Sequence, residues 1–172
     1  MGDQCTPELG KLIGQSRMAF TIGYQGATPE SFLKTLVSRG IKGLVDVREI
    51  PRSRKPGFSS AALARMLEIN AIHYVHIASL GSPARTRELL KFNHDLSTFL
   101  RDYERHLASV PDALDALVTI ASSEPTAIMC YERDPSVCHR SVITSELTRR
   151  GFEIRHLEVK PSPSEALAPI SP

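Results

Sequence analysis

The densest reactive chemistry of this chain lies in one twelve-residue stretch, 129–140, with the sequence MCYERDPSVCHR. It holds two thiols, an imidazole, carboxylates and two guanidinium groups, and it stands between an apolar run and a helical pattern. A strand that ends in such a loop and continues into a helix directs the loop side chains and the first helical N–H groups into one crevice, where open α/β sheets bind ligands. The stretch therefore predicts an enzyme site, although it does not identify a substrate.

Four side chains of this stretch are candidates for the chemistry. Cys138 is a candidate nucleophile, because a helix start with His139 and Arg140 beside it favours the thiolate. His139 is a candidate general acid or base near neutral pH, as is Glu132 if burial raises its pKa. Arg140 offers paired donors to an oxyanion or a phosphate. The structural alternatives stay open: a buried cysteine that packs the helix against the sheet, and a hydrogen-bonded histidine without a catalytic role.

A second cluster follows another strand, over residues 46–58 with the sequence DVREIPRSRKPGF. The strand ends in the carboxylate of Asp46, a further candidate acid or base, and four basic side chains crowd into the next residues. Phe58 supplies a ring that could stack on a base or fill the core, and a basic loop is commonly no more than solvated. Because sites form at the carboxyl ends of parallel strands, we predict a substrate-binding set. Its members are Tyr24, Arg48, Arg52, Ser53, Arg54, Phe58, His76 and Arg140.

A zinc site built from Cys130, Cys138 and His139 has to be considered, because thiolate and imidazole are preferred zinc ligands. The spacing argues against it, since there is no Cys-x-x-Cys pair and the adjacent Cys138 and His139 would need unusual backbone geometry to share one ion. His73 and His76 face opposite sides of a strand, which also disfavours joint ligation. The sequence therefore predicts no metal site and identifies no cofactor.

Composition sets limits on the class of protein. The 172 residues, 41% of them apolar, suffice for one domain with a core, and a net charge of +2 is too small to indicate nucleic acid by itself. No run approaches the roughly 18 apolar residues of a membrane helix, and no secretory signal pattern starts the chain. Three cysteines are too few for a disulfide scaffold. A cytoplasmic protein with reduced thiols is expected, and its oligomeric state is left open.

Apolar runs suited to buried strands alternate with helical patterns along the chain, which is typical of βα units around a parallel sheet. Strands are predicted over 18–22, 44–48, 72–77, 126–130 and 153–159. Helices are predicted over 28–40, 59–69, 96–107, 112–121 and 138–150, with a long connection between residue 80 and the third helix. The expected fold is a single three-layer α/β domain over 18–159, with a mostly parallel sheet of about five strands, helices on both faces, and flexible tails at 1–17 and 160–172.

An ordered set of motifs then carries a resemblance to a known family. The motifs are Thr21-Ile22-Gly23-Tyr24, Leu44-Val45-Asp46-Val47-Arg48, Pro51 with Ser53-Arg54 and Phe58, His73-Tyr74 with His76, Leu80-Gly81 with Pro83, Met129-Cys130-Tyr131-Glu132 and Cys138-His139-Arg140. Over about residues 18–159 the chain resembles the prokaryotic family called domain of unknown function 488. The resemblance implies a small α/β domain with its motif residues at one end of the sheet, and no agreed reaction. A weaker likeness to rhodanese-like sulfur carriers extends only to the fold.

These observations predict an enzyme that carries out hydrolysis or group transfer on an anionic substrate, either a small phosphate-bearing molecule, a nucleotide or a nucleic-acid fragment. The first alternative is a non-catalytic DNA- or RNA-binding module that uses the same basic loops. The second is a thiol redox or sulfur-transfer protein. No membrane association is expected.

Overall fold

A computed structural model describes residues 17–160, in which a five-stranded parallel sheet lies between two layers of helices. The strands are β1 (Arg17–Gly23), β2 (Gly43–Asp46), β3 (His73–His76), β4 (Thr126–Cys130) and β5 (Phe152–Leu157). The helices of this part of the chain are α1 (Pro29–Ser38), α2 (Ser60–Glu68), α3 (Ala84–Asn93), α4 (Leu96–Ala108), α5 (Pro111–Ser123) and α6 (Arg140–Arg149). The predicted α/β class with a parallel sheet is confirmed.

The strand order is β3-β2-β4-β1-β5, so β4 lies at the centre between β2 and β1. Gly23 at the end of β1 is in register with Cys130, and Asp46 at the end of β2 is in register with Met129. Because all the strands are parallel, their carboxyl ends meet at one edge. The motifs from the early and late parts of the chain therefore converge there.

The sheet has an apolar core on each face. Helices α1 and α2 cover one face, and helices α4, α5 and α6 cover the other. Successive strand residues point to opposite faces. Leu44 and Met129 accordingly belong to the first core, whereas Val45, Val47 and Cys130 belong to the second. This alternation separates the functional groups that follow β2 and β4.

Local signals position the first two helices as the sequence predicts. The Thr28 side chain accepts from the Ser31 N–H while the Ser31 hydroxyl accepts from the Thr28 N–H, a capping box. Ser59 caps α2 through the N–H of Ala62. Both caps fix the loops that lead from the carboxyl edge of the sheet into its helices.

The prediction of a long connection without a helix before residue 96 is wrong, because α3 occupies Ala84–Asn93. None of the side chains of α3 is buried, so the helix lacks the apolar stripe that sequence periodicity detects. An ion pair of 2.7 Å between Arg87 and Glu49 ties α3 to the loop after β2. The apolar periodicity on which the helix predictions relied is therefore absent from α3.

The predicted tails at 1–17 and 160–172 fall almost wholly outside the described residues, as does Cys5. Arg17 is the first residue of β1, and β5 ends at Leu157, two residues before the predicted end. Within residues 17–160, no helix combines the length and apolarity that crossing a membrane requires.

Candidate functional site

Two cysteines and a histidine meet where β4 ends and α6 begins. After Cys130 the chain passes through a short 3₁₀ helix, Pro135–Val137, which turns it back so that Cys138 approaches the end of the strand. The Sγ atoms of Cys130 and Cys138 and one ligand atom of His139 all lie within 4.8 Å of one another. We call these three buried residues the thiol–imidazole cluster.

The His139 ring is oriented by a main-chain carbonyl from another strand. Its Nε2 lies 3.1 Å from the carbonyl oxygen of Val47, just after β2. A carbonyl only accepts, so Nε2 carries a proton, and Nδ1 is the ring nitrogen on the side of the sulfurs. Nδ1 lies 3.7 Å from the Cys138 Sγ and 3.9 Å from the Cys130 Sγ. The histidine therefore faces both sulfur atoms with the same nitrogen.

The spacing argument against a shared ion does not hold in this structure. Cys138 has an extended backbone, with φ −121° and ψ 147°, whereas His139 is already helical, with φ −56° and ψ −18°. This change of conformation between neighbours turns both side chains toward one point. Ordinary backbone angles therefore suffice to bring a sequential Cys-His pair together.

Arg140 is buried and already has partners within the protein. Its Nε donates to the Cys138 Sγ at 3.4 Å, and its Nη2 donates to the carbonyl oxygen of Glu132. The side chain is only 1% exposed. The expectation that Arg140 holds a substrate is therefore corrected, because its guanidinium stabilises the loop and the sulfur of Cys138.

The two thiols and the neighbouring carboxyl have shifted pKa values. Burial raises the pKa of the Cys138 thiol, but the S–H of Cys130, the adjacent His139 and the charge of Arg140 outweigh burial and bring it well below 9.0. The pKa of Cys130 is raised, because its S–H is shared with Cys138 and because it is buried. Burial, and then the negative charge on Cys138, raise the pKa of Glu132.

On the opposite face of the sheet, Asp46 and Arg48 form a buried ion pair. Nη2 of Arg48 lies 2.6 Å from Oδ2 of Asp46, and Nε lies 2.8 Å from Oδ1. Nη1 donates to the Tyr24 hydroxyl and to the Phe58 carbonyl, and the Tyr74 hydroxyl donates to Asp46 Oδ2 at 2.7 Å. These contacts use the guanidinium of Arg48, which was predicted to bind substrate, and the carboxylate of Asp46, which was predicted to act as an acid or base. Both expectations are corrected to a structural role.

Phe58 and His76 also make contacts that stabilise the fold. Phe58 is fully buried, stacked on Tyr24 with ring centroids 4.5 Å apart and edge-on to Phe32. It fills the core, so the expectation that it stacks on a substrate base is wrong. Nε2 of His76 lies 2.8 Å from the Arg48 carbonyl oxygen, which fixes the loop after β2.

An open pocket of about 420 Å³ lies beside these groups at the carboxyl edge of the sheet. We call it the basic pocket; its lining residues are Tyr24, Gly26, Arg52, Ser53, Arg54, Lys55 and Tyr131. Four of the predicted substrate-binding residues are thus brought together. Sequence reasoning missed Lys55 and Tyr131, although the position of Tyr131 directly after the end of β4 was a usable signal.

The basic pocket and the thiol–imidazole cluster share the main chain at the end of β4. The Tyr131 carbonyl accepts from the Gln25 N–H at 2.8 Å, and the Cys130 carbonyl accepts from the Tyr24 N–H at 3.3 Å. Tyr131, 46% exposed, lines the pocket, while its neighbour Cys130 is buried in the core of the other face. Glu132 follows, half-buried, with Oε2 3.5 Å from the Cys130 Sγ. The two features are therefore neighbours along the main chain, one an open pocket and the other a buried cluster.

Comparison with known proteins gives one match. The family model described as "Domain of unknown function DUF488" matches residues 28–147. No curated protein and no solved structure matches the chain. The matched range includes the basic pocket from Arg52 to Tyr131 and the whole thiol–imidazole cluster.

Proposed function

Since the chain belongs to the DUF488 family, whose description names no reaction, we propose from its geometry that it is an enzyme acting on an anionic substrate held in the basic pocket. The reaction class is hydrolysis or group transfer, and the substrate class is a phosphate-bearing molecule such as a nucleotide or a nucleic-acid fragment. One observation carries the proposal. Tyr131 lines the basic pocket, and its neighbours in the chain are the strand-end thiol of Cys130 and the half-buried carboxylate of Glu132.

The pocket offers the groups that such a ligand needs. Arg52, Arg54 and Lys55 bring positive charge, and guanidinium groups pair with phosphate oxygens through two parallel donors. Arg52 and Arg54 are exposed, so their donors are open to solvent and to a ligand. Tyr131 adds a partly exposed ring on which a base can stack.

The chemistry is assigned to the groups that adjoin the pocket through the main chain. Glu132 directly follows the pocket residue Tyr131 in the chain and is half-buried, and we assign its carboxyl group as the candidate acid or base. The thiol–imidazole cluster lies behind it, with the Cys130 Sγ 3.5 Å from Glu132 Oε2. Cys138 and His139 enter the proposal through this contact and not through direct access to the substrate.

Binding of defined anions tests the proposal. Inorganic phosphate, a nucleoside monophosphate and a short single-stranded oligonucleotide are titrated into the full chain, and phosphate monoesters and diesters are screened for turnover. Arg54→Ala should weaken binding at least about tenfold, the usual scale for a charge-assisted contact. Arg39→Ala, an exposed arginine at the end of α1, is the matched control and should leave binding unchanged. Glu132→Gln should abolish turnover while binding persists.

A non-catalytic nucleic-acid binder is the second candidate, favoured by the exposed Tyr131 ring among basic side chains. A binder of this kind shows steep loss of affinity with salt and no turnover of any phosphate ester. Equal binding by the wild-type chain and the Arg54→Ala variant would contradict both candidates.

A further inference from the structure

The thiol–imidazole cluster has the composition of a zinc-binding site. It combines two cysteine sulfurs with one histidine nitrogen, and zinc sites that keep a position open use three protein ligands of these types. Cys130, Cys138 and His139 are 5%, 2% and 5% exposed. The three groups are thus withdrawn from water, which would otherwise compete for an ion.

The separations between the ligand atoms fit a single ion. Zn–S bonds of about 2.3 Å and Zn–N bonds of about 2.0 Å at tetrahedral angles place a sulfur and a nitrogen about 3.5 Å apart. Nδ1 of His139 lies 3.7 Å from one sulfur and 3.9 Å from the other. These distances are long for hydrogen bonds to nitrogen, but they match two atoms that share a central cation.

The orientation of the histidine is a second, independent sign. Metal-bound histidines commonly donate their other ring N–H to a carbonyl or a carboxylate, which fixes the tautomer and the ring plane. Nε2 of His139 has such a partner in the Val47 carbonyl at 3.1 Å. This contact holds Nδ1 on the side of both sulfurs.

The charge of Arg140 is a third sign. In residues 17–160 no carboxylate lies within ion-pair distance of this buried guanidinium, whose polar contacts are a sulfur and a carbonyl. Its Nε donates to the Cys138 Sγ at 3.4 Å, and a cation that donates to a sulfur in this way stabilises the thiolate form of that sulfur. A thiolate is the form in which cysteine binds zinc.

From these observations we infer that Cys130, Cys138 and His139 bind one Zn²⁺ ion through Sγ, Sγ and Nδ1. Both sulfurs bind the ion as thiolates and the imidazole binds in its neutral form, so any protons that these groups carry pass to solvent, and no oxidation state changes. Two thiolates balance the charge of the ion and select zinc over magnesium or calcium, which prefer oxygen ligands. The Glu132 carboxylate lies 3.5 Å from the Cys130 Sγ, outside the group of three ligands, and is the nearest acid or base to the site.

Two other uses of the cluster fit the geometry less well. A nucleophilic thiol paired with a histidine needs access to its substrate, and the Cys138 side chain is 2% exposed. A redox pair of cysteines needs no histidine placed nearly equidistant from both sulfurs. Metal binding explains the burial, the tautomer and the equal distances together.

Zinc binding itself is independent of the proposed enzyme activity. Only the role of the ion beside Glu132 rests on that proposed function. Anion binding in the basic pocket tests the proposed function, whereas metal binding tests this inference, so either can fail without the other.

Metal content and a cobalt spectrum test the inference on the full chain. The purified protein should contain close to one zinc per chain, and replacement by Co²⁺ should give the sulfur-to-cobalt charge-transfer band and the intense visible bands of a tetrahedral site. Cys138→Ser and His139→Gln should each weaken zinc affinity by more than about 100-fold, since losing only a partner that orients a ligand costs about 10- to 100-fold. Cys5→Ser is the matched control and should retain full binding.

If the variants do not fold, a thiol-protection experiment on the wild-type chain still tests the inference. Stoichiometric Zn²⁺ should shield Cys130 and Cys138 of the wild-type chain from iodoacetamide, and a chelator should restore labelling, as read by peptide mass spectrometry. A Cys138→Ser variant that binds zinc as tightly as wild type, thiols labelled equally with and without zinc, or a native Cys130–Cys138 disulfide would each overturn the inference.

Discussion

The guanidinium of Arg48 is held against the carboxylate of Asp46 in a pair that solvent does not reach, with an Nη2–Oδ2 distance of 2.6 Å and side-chain exposures of 7% and 0%. The same guanidinium donates to the Tyr24 hydroxyl and to the Phe58 carbonyl. The pair therefore joins the ends of β1 and β2 to the loop before α2. Its function is to hold Tyr24 and the basic loop in place, next to the pocket that they line.

Breaking this pair from one side should destabilise the protein strongly. Asp46→Asn removes the negative charge and leaves the Arg48 guanidinium buried without a counter-charge, which costs about 3 kcal/mol or more. We expect urea unfolding to show that loss in the free energy of unfolding. Glu88→Gln, at an exposed position on α3, is the matched neutral substitution and should change it by less than about 0.5 kcal/mol. Equal stability of the two variants would show that the pair contributes little.

The sequence was sufficient to predict where the site lies. Polar residues end or follow the predicted strands 18–22, 44–48 and 126–130, and the parallel order brings Tyr24, Asp46 and Cys130 to one edge, as βα alternation implies. The sequence was not sufficient to predict on which face of the sheet each of these side chains lies. A one-residue offset puts Asp46 on one face and Val47 on the other, so the carboxylate and the thiol cluster are separated by the sheet itself.

The partners of each charged group were equally beyond sequence reasoning. Arg48 and Arg54 look alike in the sequence. Arg48 is nevertheless paired with Asp46 in the interior, whereas Arg54 is exposed at the pocket. Helix α3 escaped prediction because it buries no side chain. The convergence of Cys138 and His139 depends on a change of backbone conformation between neighbours, which residue spacing does not encode.

Gly23 is a position where even one methyl group should disrupt the site. A Cβ there would lie 1.9 Å from the carbonyl oxygen of Glu132, a main-chain atom that also accepts from Arg140. Gly23→Ala should lower the free energy of unfolding by about 2 to 3 kcal/mol, the upper part of the range for overpacking, because backbone cannot rotate away. Denaturant unfolding measures the loss, and near-ultraviolet circular dichroism reports the displaced Tyr131.

Gly40→Ala provides the comparison for that substitution. Gly40 has a positive φ of 67°, but a methyl group added there would meet no atom within 4 Å, so only backbone strain of about 1 to 2 kcal/mol is expected. The variant should keep wild-type anion binding and zinc content, since it lies at the opposite edge of the sheet. If Gly23→Ala were no more harmful than this control, the close approach of β1 to the Glu132 carbonyl would not be present in solution.

Alkaline pH should destabilise the protein through two of its four tyrosines. Burial, and then the Asp46 carboxylate, raise the pKa of Tyr74 above its ordinary 10.0, and burial raises that of Tyr103. The unfolded chain then loses these protons before the folded one does, so the stability is intact below pH 10 and falls as the pH rises further. Urea unfolding between about pH 9 and 11 should show this slope. Tyr74→Phe should reduce it, and an unchanged slope in both Tyr74→Phe and Tyr103→Phe would exclude these phenols as its source.

Tyr131 should distinguish a nucleotide from a simple phosphate as the ligand of the basic pocket. Stacking of a base on an aromatic ring contributes about 1 to 3 kcal/mol, so Tyr131→Ala should weaken binding of a nucleoside monophosphate by about 5- to 150-fold. Inorganic phosphate has no ring to stack, and its affinity should stay the same because Arg52, Arg54 and Lys55 remain. Tyr131→Phe keeps the ring and should behave as wild type toward both ligands. Titration calorimetry of the three proteins measures all six affinities. A Tyr131→Ala variant that binds the nucleotide as well as wild type would show that the base does not stack there, and an equal loss for both ligands would show that the ring only supports the loop.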